Sequence, residues 1–371
     1  MTSIPEIVQA PLYFQGRGAL AATMRALGVE PDAAVALQAF TCVAVPEGIL
    51  GAGGRPVYVD IEAGGVNMDP QAFEETIRRT PIRAVVVQHT FGVPVDPAIY
   101  RVARERGIAI IEDCCHTITS SVNQMAVGDQ GDAAFTSFEW GKTIVAGLGG
   151  AAWSGRSGIA KRLREHEKTL RPPPSSVQVK ISAQYAAYRT LYRPNVYWTI
   201  RDLQRRATKA GVAVGNFGED RGDAWTPHID ALRWRMWSMG PLLARRSAAR
   251  LPVRLRYAQA WAEHYEKAIV GVASTIGMPE GSHVDWLRYP IIPDAVPKDE
   301  ALQRARAVRL EMAAWYETPV HPLRDENLHR VGYEPGSCPE AERRCGELVS
   351  LSVAGRLDQR RLDRLTTVLR P

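Results

Sequence analysis

In SFEWGKTIVAGLGG, residues 137–150, a single lysine sits in a glycine-dense loop five residues after a serine. Most lysines stay in water, but a primary amine held in a pocket can form a Schiff base with a carbonyl. Two other stretches offer chemistry that would suit such an amine. Asp113 closes the apolar run IAIIED (108–113), which reads as a buried strand, so its carboxylate stands at a strand end. The triplet GRG, residues 16–18, opens a helical pattern whose first N–H groups lack intrahelical partners and favour an anion. Lysine, carboxylate and anion seat, with the Ser137 hydroxyl, are the parts needed to hold pyridoxal phosphate (PLP). The lysine would form the Schiff base. The carboxylate would keep the pyridine nitrogen protonated, making the ring an electron sink. Each part alone is a weak signal, since a lone strand-end Asp is more often a cap or a turn former.

The elements that must bring these groups together alternate over the first 155 residues. GRGALAATMRALG (16–28) places Leu20, Met24 and Leu27 on one helical face and ends at Gly28, a C′ glycine. RPVYVDI (55–61) reads as a strand. PQAFEETIRRT (70–80) reads as a helix with Asp69 as cap and Pro70 at N1. RAVVVQH (83–89) is a buried strand, PAIYRVARERG (97–107) a helix, and IAIIED the next strand. Strands separated by helices imply βαβ units and a parallel sheet covered on both faces. Functional groups collect at the carboxyl ends of such strands, where His89 and Asp113 both fall. Further on, KRLREHEKTL is a charged helix broken by RPPPSS. A Tyr/Arg-rich stretch and the loop GNFGEDRGD then read as a helical insertion or lid. The pattern continues as one long helix over 241–268, a strand at LRYPIIPD, a helix near 298–314 and a terminal helix at 357–369.

The chain has 371 residues, 45% hydrophobic and 23% charged, enough for a full core and a companion unit. No run of about 18 uncharged apolar residues indicates a transmembrane helix, and MTSIPEIVQAPLYF lacks the pattern of a signal peptide. Five irregularly spaced cysteines fit a reduced, cytoplasmic protein. Cys114, Cys115 and His116 lack metal-ligand spacing, so no metal is expected. Net charge is +6, yet residues 151–250 carry 19 Lys/Arg against 7 Asp/Glu. That excess suits either a solvated helical face or a phosphate-bearing ligand; no nucleic-acid motif accompanies it.

Taken in order, GRGALAATMRALGV, AFTCVAVPEGILGAGGRPVYVDIE, AVVVQHTFGVPVD, IAIIEDCCHTI, GDAAFTSFEWGKT and GLGG resemble the DegT/DnrJ/EryC1/StrS family of PLP-dependent aminotransferases. The resemblance covers roughly residues 12–155 and resumes loosely at RWRMWSM, YETPVHPL and CPEAERR. It implies a fold-type-I α/β architecture. A large PLP-binding domain over 1–240 would hold a mainly parallel seven-stranded sheet and an atypical helical insertion at about 172–230. A smaller α/β domain would follow over 241–371.

The resemblance also assigns residues. Lys142 matches the Schiff-base lysine, Asp113 the pyridine-nitrogen partner, His116 a residue against the cofactor ring and Ser137 a phosphate ligand. Arg17 and Gly18 stand where the family commonly has Thr-Ala at the start of the phosphate-binding helix. Cys42 replaces an aromatic ring that often stacks on the cofactor, and Arg233 falls near an Asn that reaches the partner subunit's phosphate. His321 aligns with a segment that edges into the site. Glu139 could meet substrate or a dimer contact, and His89 could orient substrate or be a hydrogen-bonded strand-end histidine.

A lysine, rather than the histidine of the dehydrating members, implies transamination. The implied reaction moves an amino group from glutamate or glutamine to a keto-sugar, possibly nucleotide-linked, in antibiotic or polysaccharide biosynthesis by a homodimer with shared sites. Alternatives are an elimination, aldol-type or cyclitol-directed enzyme on the same fold, or a cofactor-binding regulatory protein.

Overall fold

The computed structural model describes residues 3–191, 196, 198–200, 202, 203 and 229–370. In chain order the first elements are α1 (Ile4–Ile7), β1 (Leu12–Tyr13), α2 (Gly16–Ala26), β2 (Ala34–Gln38), β3 (Thr41–Cys42) and α3 (Ala44–Gly51). Then come β4 (Arg55–Val59), α4 (Pro70–Arg79), β5 (Ile82–Gln88), α5 (Ala98–Glu105) and β6 (Ala109–Asp113). A short pair, β7 (Ser121–Val122) and β8 (Met125–Ala126), precedes β9 (Ala133–Ser137), β10 (Gly150–Trp153), α6 (Ser157–Thr169) and α7 (Ser175–Leu191).

Seven strands form one sheet in the order β1-β10-β9-β6-β5-β2-β4. The pairs from β4 to β9 are parallel, and β10 and β1 close the edge antiparallel. Side chains alternate between its faces, as strand geometry requires. Val35, Leu37, Val86 and Ile111 pack under α2 and α6, whereas Ala36, Val85, Val87 and Ile110 pack against α4 and α5. Burial on both faces is why these strands read as continuous apolar runs.

Local chemistry sets the helix ends as expected. Asp69 Oδ1 accepts from Gln71 N–H (3.0 Å) behind Pro70, and Gly28 takes φ +72° after α2. Leu20 and Met24 are fully buried, each contributing about 1.5–3 kcal/mol of apolar transfer.

A second, wholly antiparallel sheet gathers β11 (Ala273–Ser274), β13 (Arg288–Pro293), β14 (Met312–Ala313) and β16 (Val349–Ser352) in the order β11-β13-β16-β14. β12 (Ser282–His283) pairs with β7 instead. β15 (Val320–His321) runs parallel to β3, with Val320 opposite Thr41 and His321 opposite Cys42. That small ladder ties the C-terminal part of the chain to the first sheet's edge of function.

Two expectations need correction. Residues 241–268 form two helices, Gly240–Ala248 and Leu251–Ala268, not one. Pro252 lacks an N–H and its ring would crowd the Ala248 carbonyl, so a fresh helix starts with proline in its first turn. The helix placed near 298–314 ends at Ala307, because Arg309 adopts φ +55° and turns the chain into β14. The insertion expected at 172–230 begins with the observed α7, while GNFGEDRGD lies outside the described residues.

Gly150 marks the closest approach between sheet and site. A Cβ there would lie 2.8 Å from the Gln15 carbonyl oxygen and 2.8 Å from Gly16 Cα, both backbone atoms. Gly150→Ala is therefore expected to cost about 1–3 kcal/mol through backbone displacement and to shift the start of α2. Denaturant melts, with and without phosphate, check both effects.

Candidate active site

The parallel strands deliver their carboxyl ends to one cleft. Asp113 ends β6 and Ser137 ends β9, 4% and 6% exposed, and the two strands are adjacent, with Asp113 opposite Phe135. α2 starts against them: an added Cβ on Gly16 would sit 3.0 Å from Ser137 Cβ. Gln15, the residue that caps α2, makes no side-chain capping bond. The amides of the first helical turn therefore face the cleft without a capping side chain.

Lys142 sits on the tight turn after β9, where Gly141 takes φ +74° and Lys142 N–H donates to the Glu139 carbonyl (3.2 Å). Its Nζ lies 5.4 Å from the centroid of Trp315, a cation–π contact, and the residue is only 9% exposed. Arg254 forks onto the loop, donating to the carbonyls of Thr143 (2.7 Å) and Lys142 (3.2 Å). Thr143 Oγ1 donates in turn to the His116 carbonyl (3.0 Å). The amine is thus held by its backbone as well as by its surroundings.

His116 is a neutral ring. Its Nδ1 accepts from Phe91 N–H (3.0 Å), its plane stacks on Trp315 (5.7 Å, 6° between planes), and Tyr316 Oη lies 3.5 Å from Nε2. Burial, assisted by the Lys142 charge, holds its pKa well below the usual value. Burial raises the Asp113 carboxyl above the ordinary range, opposed by a hydrogen bond from Cys115 N–H (2.9 Å) and by Lys142. Burial likewise pushes the Cys42 thiol up to about 11. Arg17 forms a buried ion pair with Glu47 of α3. Among the described residues Arg17 Nε and Gln15 Oε1 have no hydrogen-bond partner, although both are shielded from solvent.

One cleft gathers Arg17, Cys42, Asp113, His116, Ser137, Glu139 and Lys142 from the sequence reading. Gly18 lies one step behind it, toward Tyr13 and Leu232. His89 does not reach the cleft. Its Nε2 meets Glu112 Oε2 (3.2 Å) and its Nδ1 accepts from Val95 N–H (3.2 Å), the strand-end role rather than the substrate one. Arg233 is an exposed residue of the short turn Asp230–Arg233, paired with Asp230 (3.0 Å), and does not line the cleft. His321 does not line it either; its ring sits 5.4 Å from that of Tyr316, which does.

The sequence reading missed Gln15, Gln88, Cys115 and Tyr316 of the lining, and Trp315 and Glu47 beside it. It also missed Glu112, whose carboxylate accepts from Tyr100 Oη and from the amides of Gly128, Gln130 and Gly131 while meeting His89. Its adjacency to Asp113 in IIED was the available signal. For Tyr316 the signal was its place at the start of YETPVHPL, where the resemblance resumes, although its position in the cleft depends on the β15–β3 pairing.

Residues 14–177 match the model of the DegT/DnrJ/EryC1/StrS aminotransferase family. Over that stretch the chain is similar to the members of this family. The family segment carries every cleft residue named above except Tyr316. The chain is 34% identical over 152 residues to the UDP-N-acetyl-3-dehydro-alpha-D-glucosamine 3-aminotransferase of Acidithiobacillus ferrooxidans, covering 40% of this chain and 41% of that protein. It is 31% identical over 166 residues to the L-glutamine:scyllo-inosose aminotransferase of Streptomyces griseus, covering 44% and 39%. The aligned part thus spans about two fifths of these relatives. A DegT/DnrJ/EryC1/StrS aminotransferase from Brucella abortus superposes with TM-score 0.70 at 20% identity over 97% of this chain and 84% of that one. The family's fold-type-I architecture therefore extends beyond the family segment.

The raised Asp113 pKa has a stability consequence. Its native carboxyl holds a proton more readily than the unfolded chain does, so the charged form costs stability as pH rises above the ordinary carboxylate value. Asp113→Asn is expected to stabilise the cofactor-free protein by about 1–3 kcal/mol at pH 8, with the gain fading toward pH 4, while abolishing activity. Thermal melts across pH check the sign.

Proposed function

We propose that this chain is a PLP-dependent aminotransferase that moves an amino group from glutamate or glutamine to a cyclic ketone, a keto-sugar that nucleotide linkage would suit. The observation that carries the reading is the convergence on one cleft of a buried lysine, a buried strand-end carboxylate, a strand-end serine and an uncapped helix start. The orphaned Arg17 Nε in the same wall fits an anionic group. The family match and the A. ferrooxidans relative, whose name records a UDP-linked keto-sugar, support the class of acceptor. The S. griseus relative, named for a cyclitol ketone, favours a cyclitol as the second reading.

When bound, PLP would supply an electron sink for the bond-breaking next to the transferred nitrogen. Asp113 would accept a hydrogen bond from the ring N–H, its charge maintained by that cation in a site that otherwise penalises it. Ser137 Oγ and the first amides of α2 would hold the phosphate. Neutral His116 would present a flat face without competing for the proton. Lys142 Nζ would carry the covalent attachment and, once released by the amino donor, would be the base that takes the proton from the donor carbon and gives it back on the other side of the transferred nitrogen. Trp315 beneath Nζ holds the amine close to that position. Glu139, in the same wall, would meet the substrate.

We read residues 1–240 as the cofactor-binding domain and 241–371 as a smaller domain, which the second sheet supports. A homodimer with shared sites, to which Arg233 would contribute, is supported by the exposed Val179, Met239, Leu242 and Val253 around the insertion and the helices that follow it. Five free cysteines support a cytoplasmic setting, and no helix among the described residues is long and apolar enough to cross a membrane.

Purified protein reconstituted with PLP should show a visible cofactor band that glutamate or glutamine shifts, with 2-oxoglutarate or its amide formed stoichiometrically. Lys142→Ala should lose the band and the turnover. A band that neither donor changes would contradict the transaminase reading.

A further inference from the structure

The start of α2 departs from an ordinary phosphate-binding helix in carrying a buried charge pair. Arg17 is 3% exposed and Glu47 0%, and Arg17 gives one terminal nitrogen to Glu47 Oε2. The Arg17 guanidinium is planar with five donors, and its Nε is without a partner among the described residues. Gln15, immediately before the helix, likewise has an unpartnered buried oxygen in this wall. Cys42 and Ser137 border the same space.

A buried cation needs a counter-charge, and Glu47 supplies one. Glu47 is held by α3, whose Gly48 lets the two helices touch: a Cβ there would lie 3.0 Å from the Arg17 carbonyl and 2.9 Å from Leu20 Cδ2. The pair is therefore placed by helix packing and not by the ligand. Resting on the reading that this cleft takes PLP, we propose that Arg17 and Glu47 form a preformed phosphate seat. In it Arg17 binds the phosphate monoester through its free edge, and Glu47 serves as the internal counterion that keeps Arg17 charged and oriented when the phosphate is absent.

This arrangement has opposite consequences for its two members. Removing Arg17 removes a charge-assisted donor to phosphate. Replacing Glu47 by Gln keeps an oxygen to accept from Arg17 but removes the counter-charge, so an added phosphate becomes the only anion on the guanidinium. Phosphate then stabilises the variant more than the parent, by mass action on the native state.

The test uses inorganic phosphate, PLP and pyridoxal as probes on the full chain. Arg17→Met is paired with the double variant Arg17→Met/Glu47→Gln, which leaves no lone buried charge if the single variant fails to fold. In the double variant PLP affinity is expected to fall about tenfold or more, the size of one charge-assisted hydrogen bond, while pyridoxal affinity stays within about twofold. Glu47→Gln is expected to melt lower than the parent without phosphate and to gain a larger melting shift from it. The double variant is expected to show the smallest shift. Equal phosphate shifts in all three proteins, or equal loss of PLP and pyridoxal affinity, would overturn the seat. Failure of the parent to bind PLP at Lys142 would instead overturn the proposed function and leave the phosphate shifts to be read on their own.

Discussion

Two neighbouring carboxylates on β6 point to opposite faces of the sheet, and the site depends on the difference between them. Glu112 faces the side packed by α5 and is fully engaged by Tyr100, His89 and three turn amides. Burial alone would raise its pKa, but His89 and the amides of Gly128 and Gly131 bring it below the ordinary value, so it is a settled anion. These bonds fix the 128–131 turn, which sets where β9 starts and hence where Ser137 ends. Asp113 faces the cleft, with a single backbone amide on its carboxylate, and burial raises its pKa. A period of two residues thus separates a structural anion from one left open to a cationic ligand.

The rest of the cleft is assembled by the same economy of charge. Arg17 is answered by Glu47, His116 is kept neutral, and Lys142 lies over the face of Trp315. Trp315 and Tyr316 come from the far end of the chain, brought in by the parallel pairing of β15 with β3. That pairing sets His321 beside Cys42, so the position that lacks an aromatic ring of its own is bordered by Tyr316 from the C-terminal part. The C-terminal segment that carries Trp315 and Tyr316 is accordingly part of the surroundings of the cleft lysine.

Much of this was legible in the sequence where local rules decide the outcome. IAIIED read as a buried strand because an unbroken apolar run bounded by a glycine leaves few other options, and Asp69-Pro70 announced α4 through capping chemistry. Lys142, Asp113 and Ser137 were found by residue type and position, and the resemblance added His116 and Arg17. Partners set by tertiary pairing were not legible. Glu47 looks like any helical glutamate until α3 packs on α2, and Trp315 depends on a ladder between distant segments. For His89 the sequence left a substrate role and a hydrogen-bonded strand-end role open, and Glu112 and the Val95 amide, which meet both its nitrogens, match the second. The helix over 241–268 was overextended because its amphipathic pattern continues through Pro252, where backbone sterics outweigh periodicity.

The central claim is that Lys142 is the residue to which the cofactor attaches. Reduction of the PLP-loaded protein with borohydride, followed by proteolysis and peptide mass spectrometry, tests it directly. The account predicts one cofactor-modified peptide, containing Lys142, and its disappearance when glutamate is added before the reductant. Attachment at another lysine, or none with PLP bound, would contradict it.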